Sequence, residues 1–89
     1  MAEHFDPYLQ WLGIRDPQRP PDYYRLLGVE PFESDPDVLT NAVDRQMAHV
    51  RNFQSGKHSS ESQRILNELA AAKLCLLSAE RKAQHDAQL

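Results

Sequence analysis

The sequence predicts an all-α fold, an antiparallel helical hairpin with short flanking helices, and three observations carry that reading. Leu39, Ala42, Val43, Met47, Val50 and Phe53 recur at helical spacing and mark one apolar stripe. Ile65, Leu69, Ala72 and Leu76, flanked by Leu66, Cys75 and Leu77, mark a second stripe of similar length after a polar loop, QSGKHS. No run of four or more residues alternates with the two-residue period of a strand.

Each element has its own local signals. YLQWLGI (8 to 14) and YYRLLGV (23 to 29) each follow an aspartate that suits an N-cap, Asp6 and Asp22. Pro7 fills a first helical position, where its missing N–H costs nothing, and Gly13 and Gly28 stand where a helix closes in the left-handed conformation. Two short helices of about two turns are expected. Between them RDPQRPP (15 to 21) holds three prolines, which block helix and ladder hydrogen bonding and favour an extended connector. At SDPDVL (34 to 39), Ser34 or Asp35 can cap, Pro36 enters the first turn, and Asp37 faces the positive end of the helix dipole. A long helix from about 35 to 52 follows. Ser59 or Ser60 is expected to cap the next, from about 60 to 77, and Ser78-Ala79-Glu80-Arg81 opens a last short helix to about residue 87. The two long helices would each run about 25 Å.

Composition narrows the function classes. A chain of 89 residues supports one small domain with a modest core, and 40% hydrophobic with 26% charged residues is the balance of an ordinary water-soluble globule. The start MAEHFDPY has acids and a proline where a secretory signal needs a basic and then an apolar region, so the cytosol is the expected compartment. Net charge is −3, leaving no global field to draw nucleic acid or anionic lipid. Cys75 is the single cysteine, cannot form an internal disulfide, and reads as a small packed side chain.

The densest polar cluster is AHVRNFQSGKHSSE (48 to 61), and its residues read as a bend between helices. His49 and His58, with His4 or His85, match no compact zinc-ligand spacing, so no metal site is expected. Gly56, Lys57 and the serines beside them lack the strand and the phosphate-loop pattern of a nucleotide cradle, and no cofactor is expected. No nucleophile, base and orienting acid occur together, so an enzyme is not expected. A DNA-reading helix would need basic residues, and residues 60 to 77 balance Glu61 and Glu68 against Arg64 and Lys73. Trp11, Phe5, Leu9 and Ile14 are expected to staple the N-terminal segment onto the hairpin; the alternative makes Trp11 an exposed partner anchor.

The order of elements over residues 21 to 89 resembles the J-domain, the DnaJ-like chaperone module, with residues 1 to 20 as an N-terminal extension. The resemblance rests on Asp22-Tyr23-Tyr24-Arg25-Leu26-Leu27-Gly28-Val29, on Ala42 and Arg45, on Leu69, Ala72 and Leu76, and on Ser78, Arg81, Lys82, Ala83 and Asp86. In this register the family's His-Pro-Asp tripeptide, which triggers ATP hydrolysis in a seventy-kilodalton heat-shock chaperone, falls on Arg51-Asn52-Phe53. Arg has no titratable imidazole, Asn keeps its amide hydrogen, and Phe puts an apolar ring in place of a carboxylate. The family's partner docks on a basic face of the long helix, but here residues 35 to 52 set Asp35, Asp37 and Asp44 against Arg45 and Arg51, a net of −1.

The expectation is therefore a degenerate J-like module acting as a non-enzymatic protein-interaction or positioning domain. The alternative is residual co-chaperone binding. The candidate partner surface is Arg45, His49, Arg51 and Asn52. A monomer with a protein partner, without nucleic acid or membrane insertion, is expected, and the resemblance implies a piece of a larger multidomain bacterial protein.

Overall fold

The computed structural model describes residues 5–89, which form five helices and, among the described residues, no strand. These are α1 (Pro7–Leu12), α2 (Tyr23–Leu27), α3 (Pro36–Arg51), α4 (Ser59–Leu76) and α5 (Ala79–Asp86). The two short helices are built by local chemistry. The Asp6 carboxylate accepts from the Tyr8 and Leu9 N–H groups, that of Asp22 accepts from the Arg25 N–H, and Gly13 and Gly28 close the helices at φ 69° and 73°. Asp35, rather than Ser34, caps α3 by accepting from the Asp37 N–H.

α3 and α4 pack antiparallel over about 24 and 27 Å at 1.5 Å per residue. Leu39, Ala42, Val43 and Val50 of α3 are buried against Ile65, Leu66, Leu69, Ala72 and Leu76 of α4, and α2 closes the layer with Tyr24, Leu26 and Leu27. Each large apolar side chain so buried contributes roughly 1.5–3 kcal/mol relative to exposure. Ser62 lies on the same α4 stripe and is fully buried. Its hydroxyl donates to the Val50 carbonyl at 2.9 Å, so the one buried serine, threonine, amide or charged side chain among the described residues is paired.

The structure departs from expectation at the start of α4 and at the edges of the two apolar stripes. Neither Ser59 nor Ser60 caps α4: Ser59 is already helical, and His58 takes the N-cap position without a side-chain cap bond. Met47 and Phe53, at the edge of the α3 stripe, are half-buried, and Leu77 is 42% exposed because α4 ends before it. The connector from 15 to 21 is without helix or strand, as its prolines require.

Tyr8 and Ile14, from the first twenty residues, belong to the same buried cluster as the hairpin. α5 buries none of its residues and is tied on by polar and aromatic contacts instead. The Tyr24 hydroxyl donates to Asp86, Lys82 reaches Asp86 at 3.0 Å, and the Tyr23 ring stacks on His85 with centroids 4.6 Å apart. Burial and the Asp86 carboxylate push the Tyr24 phenol up. Burial works against the Asp86 carboxylate, yet bonds from Tyr24 and Lys82 outweigh it and hold its pKa below the usual value. The described residues contain no helix long and apolar enough to cross a membrane.

Candidate interaction surface

The polar residues singled out by sequence converge on the end of α3 and the bend after it. Arg45 and His49 lie on the outer face of α3, Arg51 closes the helix, and Asn52 follows it, donating its N–H to the His49 carbonyl at 3.2 Å; all four are exposed. Among the described residues neither Arg45 nor Arg51 forms an ion pair, so both guanidinium groups face solvent. Arg51 lies along the helix, with Nη2 3.9 Å from the Met47 sulfur.

The bend itself is aromatic, and His49 adjoins it. Phe53 stacks on Trp11 with ring centroids 4.4 Å apart and planes at 12°, and His49 meets Phe53 edge-on at 5.5 Å. Phe5 stacks on His58 at 3.7 Å and 10°, and meets Trp11 edge-on at 5.3 Å. Offset or edge-on pairs of this kind add about 0.5–1.5 kcal/mol each beyond the area they bury. The His58 Nδ1 also lies 3.6 Å from the Glu61 carboxylate. The N-terminal segment thus covers the inner side of the bend, and Trp11 acts as its staple rather than as an exposed anchor.

Two anchors hold that segment in place. The Tyr8 hydroxyl donates to both carboxylate oxygens of Glu68 on α4, at 2.7 and 2.9 Å. Burial, reinforced by this carboxylate, pushes the Tyr8 phenol up to about 12. Arg19 returns from the connector to pair with Asp6 at 2.8 Å, to donate to the Ile14 carbonyl at 3.1 Å, and to lie 5.1 Å over the Tyr8 ring. The Arg19 hydrogen bond is the main reason that the Asp6 carboxyl sits below its ordinary range.

Sequence reasoning grouped Arg45, His49, Arg51 and Asn52; in the structure Arg45, His49 and Asn52 share the outer side of α3 and its cap, whereas Arg51 lies about a third of a turn away, along the Met47 flank. It missed the partners of Phe53 and His58. Periodicity marked Phe53 as the last residue of a stripe, but nothing local to it announces a ring from the first helix. The histidines are divided: His49 and His58 join the bend, His85 stacks on Tyr23 at the opposite end, and His4 lies outside the described residues. Among the described residues no three His, Cys, Asp or Glu side chains converge as a metal site requires. Cys75 is half-buried, its thiol is pushed up by burial, and its sulfur contacts the Arg81 carbonyl at 3.5 Å. What this surface offers chemically is recognition: two guanidinium groups without an ion pair among the described residues, an amide, and an imidazole that meets the Phe53 ring. Comparison of the chain with protein-family models, curated proteins and solved structures finds no match.

Proposed function

We propose that the chain is a degenerate J-like module, a non-enzymatic interaction or positioning domain that has lost the co-chaperone trigger. The observation that carries this reading is the state of Phe53. In the register of the resemblance it stands where the tripeptide's carboxylate would be, and its ring is sandwiched between Trp11 and the His49 edge. A carboxylate there would face the electron-rich face of the indole and forfeit the ring stack, so the position favours an apolar ring over the tripeptide's acid. The proposed contact surface is Arg45, His49, Arg51 and Asn52, whose exposure and unpaired charge suit a protein partner. On this reading the domain is cytosolic, monomeric by itself and appended to a larger bacterial protein.

Two measurements test it. The protein at micromolar concentration is expected to leave the ATPase rate of a cognate seventy-kilodalton chaperone at its basal value; clear stimulation would restore the co-chaperone reading and overturn ours. In affinity capture, the combined variant Arg45→Glu, Arg51→Glu and Asn52→Ala is expected to lose the partner that the wild-type protein retains. Undiminished capture would remove the function from this surface.

A further inference from the structure

α5 is joined to the molecule differently from the other helices. None of its eight residues is buried, whereas α1 to α4 each bury at least two. Burial of apolar surface is the main force that docks one element on another, and α5 contributes no side chain to it. Three of its residues make the ties to α2 instead. Asp86 accepts the Tyr24 hydroxyl, the Lys82 ammonium lies 5.5 Å over the Tyr24 ring, and His85 stacks on Tyr23 while its Nε2 accepts the Tyr23 N–H at 3.4 Å. The further contact, from the Cys75 sulfur to the Arg81 carbonyl, lies beside the joint with α4. These ties cover one target. Tyr24 is 1% exposed, yet its outer cover is Lys82 and His85, with Phe32, itself 52% exposed, at a centroid distance of 5.8 Å.

We propose that α5 is a strap, which lifts from α2 as a unit while α1 to α4 stay folded and in lifting uncovers Tyr23 and Tyr24 beside Phe32. The ties to α2 are polar or aromatic contacts at the surface, where water replaces a lost hydrogen-bond partner, so releasing them takes far less than opening the apolar hairpin. The joint at Leu77 and Ser78 buries neither residue and leaves room for the movement. The helix also carries its own supports with it. Ser78 caps it by accepting from the Arg81 N–H, and the Lys82–Asp86 ion pair lies wholly within it. Closed, the strap hides the two tyrosines; open, it adds them to an aromatic surface that Phe32 alone presents. This device is independent of the surface at the α3 bend, and either can fail alone.

One amide separates lifting from fraying of α5. The Tyr23 N–H stands at the first position of α2, where the helix supplies no acceptor, and among the described residues it donates to His85 alone. Hydrogen exchange of the full chain, followed amide by amide by NMR, is expected to give Tyr23 and residues 83 to 87 one common opening equilibrium. That opening should be at least about a hundredfold more populated than the one exposing Val43, Ile65 and Leu69, and insensitive to urea below the unfolding transition. Asp86→Ala, which removes the acceptor of the Tyr24 hydroxyl, is expected to speed exchange at Tyr23 and across α5 together, by about tenfold. Val50→Ala, at the far end of α3, weakens the hairpin in the closed and open states alike, so the core amides should exchange about tenfold faster while Tyr23 stays within about twofold of wild type. The inference is overturned if Tyr23 exchanges as slowly as the core or shows no protection, if α5 opens without Tyr23, or if Val50→Ala speeds Tyr23 as much as the core.

Discussion

Tyr8 joins the first helix to the fourth through a single hydroxyl, and its ionisation makes that link sensitive to alkali. The folded-state pKa of about 12 lies above the usual 10.0, so the bond's contribution is complete below pH 10 and is lost as pH rises from 10 through 12. At pH 8, Tyr8→Phe is expected to lower unfolding stability by about 1–2 kcal/mol, since a hydrogen bond to a charged acceptor is removed. The difference between variant and wild type in urea unfolding should shrink as pH is raised to 11 and beyond. A constant difference across that range would show that the phenol carries no stabilising proton. Neither Tyr8 nor Glu68 is recognisable as a pair in the sequence: sixty positions separate them, and both types are common on surfaces. Ser62 was equally silent, because a serine on an apolar stripe is understood only once the Val50 carbonyl is seen above it.

Helices were the most legible level. Asp6, Asp22, Asp35 and Ser78 all accept from N–H groups two or three residues ahead, and such bonds are written in adjacent positions. The α4 cap was missed by one residue because His58 makes no side-chain cap bond, so no capping signal marks it in the sequence; its ring stacks instead on Phe5, from the other end of the chain. Gly13 tests the αL closure directly. A Cβ added there would meet nothing within 4 Å, so Gly13→Ala measures conformational strain alone. The expected loss is about 1–2 kcal/mol, with a fall in melting temperature of about 4–8 °C per kcal/mol for a domain of this size. A neutral outcome by thermal circular dichroism would mean that α1 does not close through a left-handed residue at position 13.

The molecule as a whole is a hairpin clasped at both ends, by Trp11 and Phe5 over the bend and by Tyr23, Tyr24 and α5 at the open end. Because Tyr8 and Ile14 share the hairpin's core, the N-terminal segment and the rest are expected to melt as one unit. Trp11 is the single tryptophan and reports that segment, while far-ultraviolet circular dichroism reports mainly α3 and α4. The two signals should give coincident transitions, and native Trp11 emission should be blue-shifted relative to the unfolded chain. A fluorescence transition more than a few degrees below the dichroism transition would make residues 5 to 20 a separable appendage.

What the sequence determined by itself was the set of helices, their stops and the faces they bury, because capping bonds act over two or three residues and apolar stripes repeat within single elements. It also put Arg45, His49, Arg51 and Asn52 on the second half of the long helix and its cap, since a single element carries them. The tertiary structure alone decided that Trp11 lies on Phe53 and that Tyr8 grips Glu68. Those contacts join residues distant along the chain, and their energy depends on the relative placement of elements that no local pattern specifies.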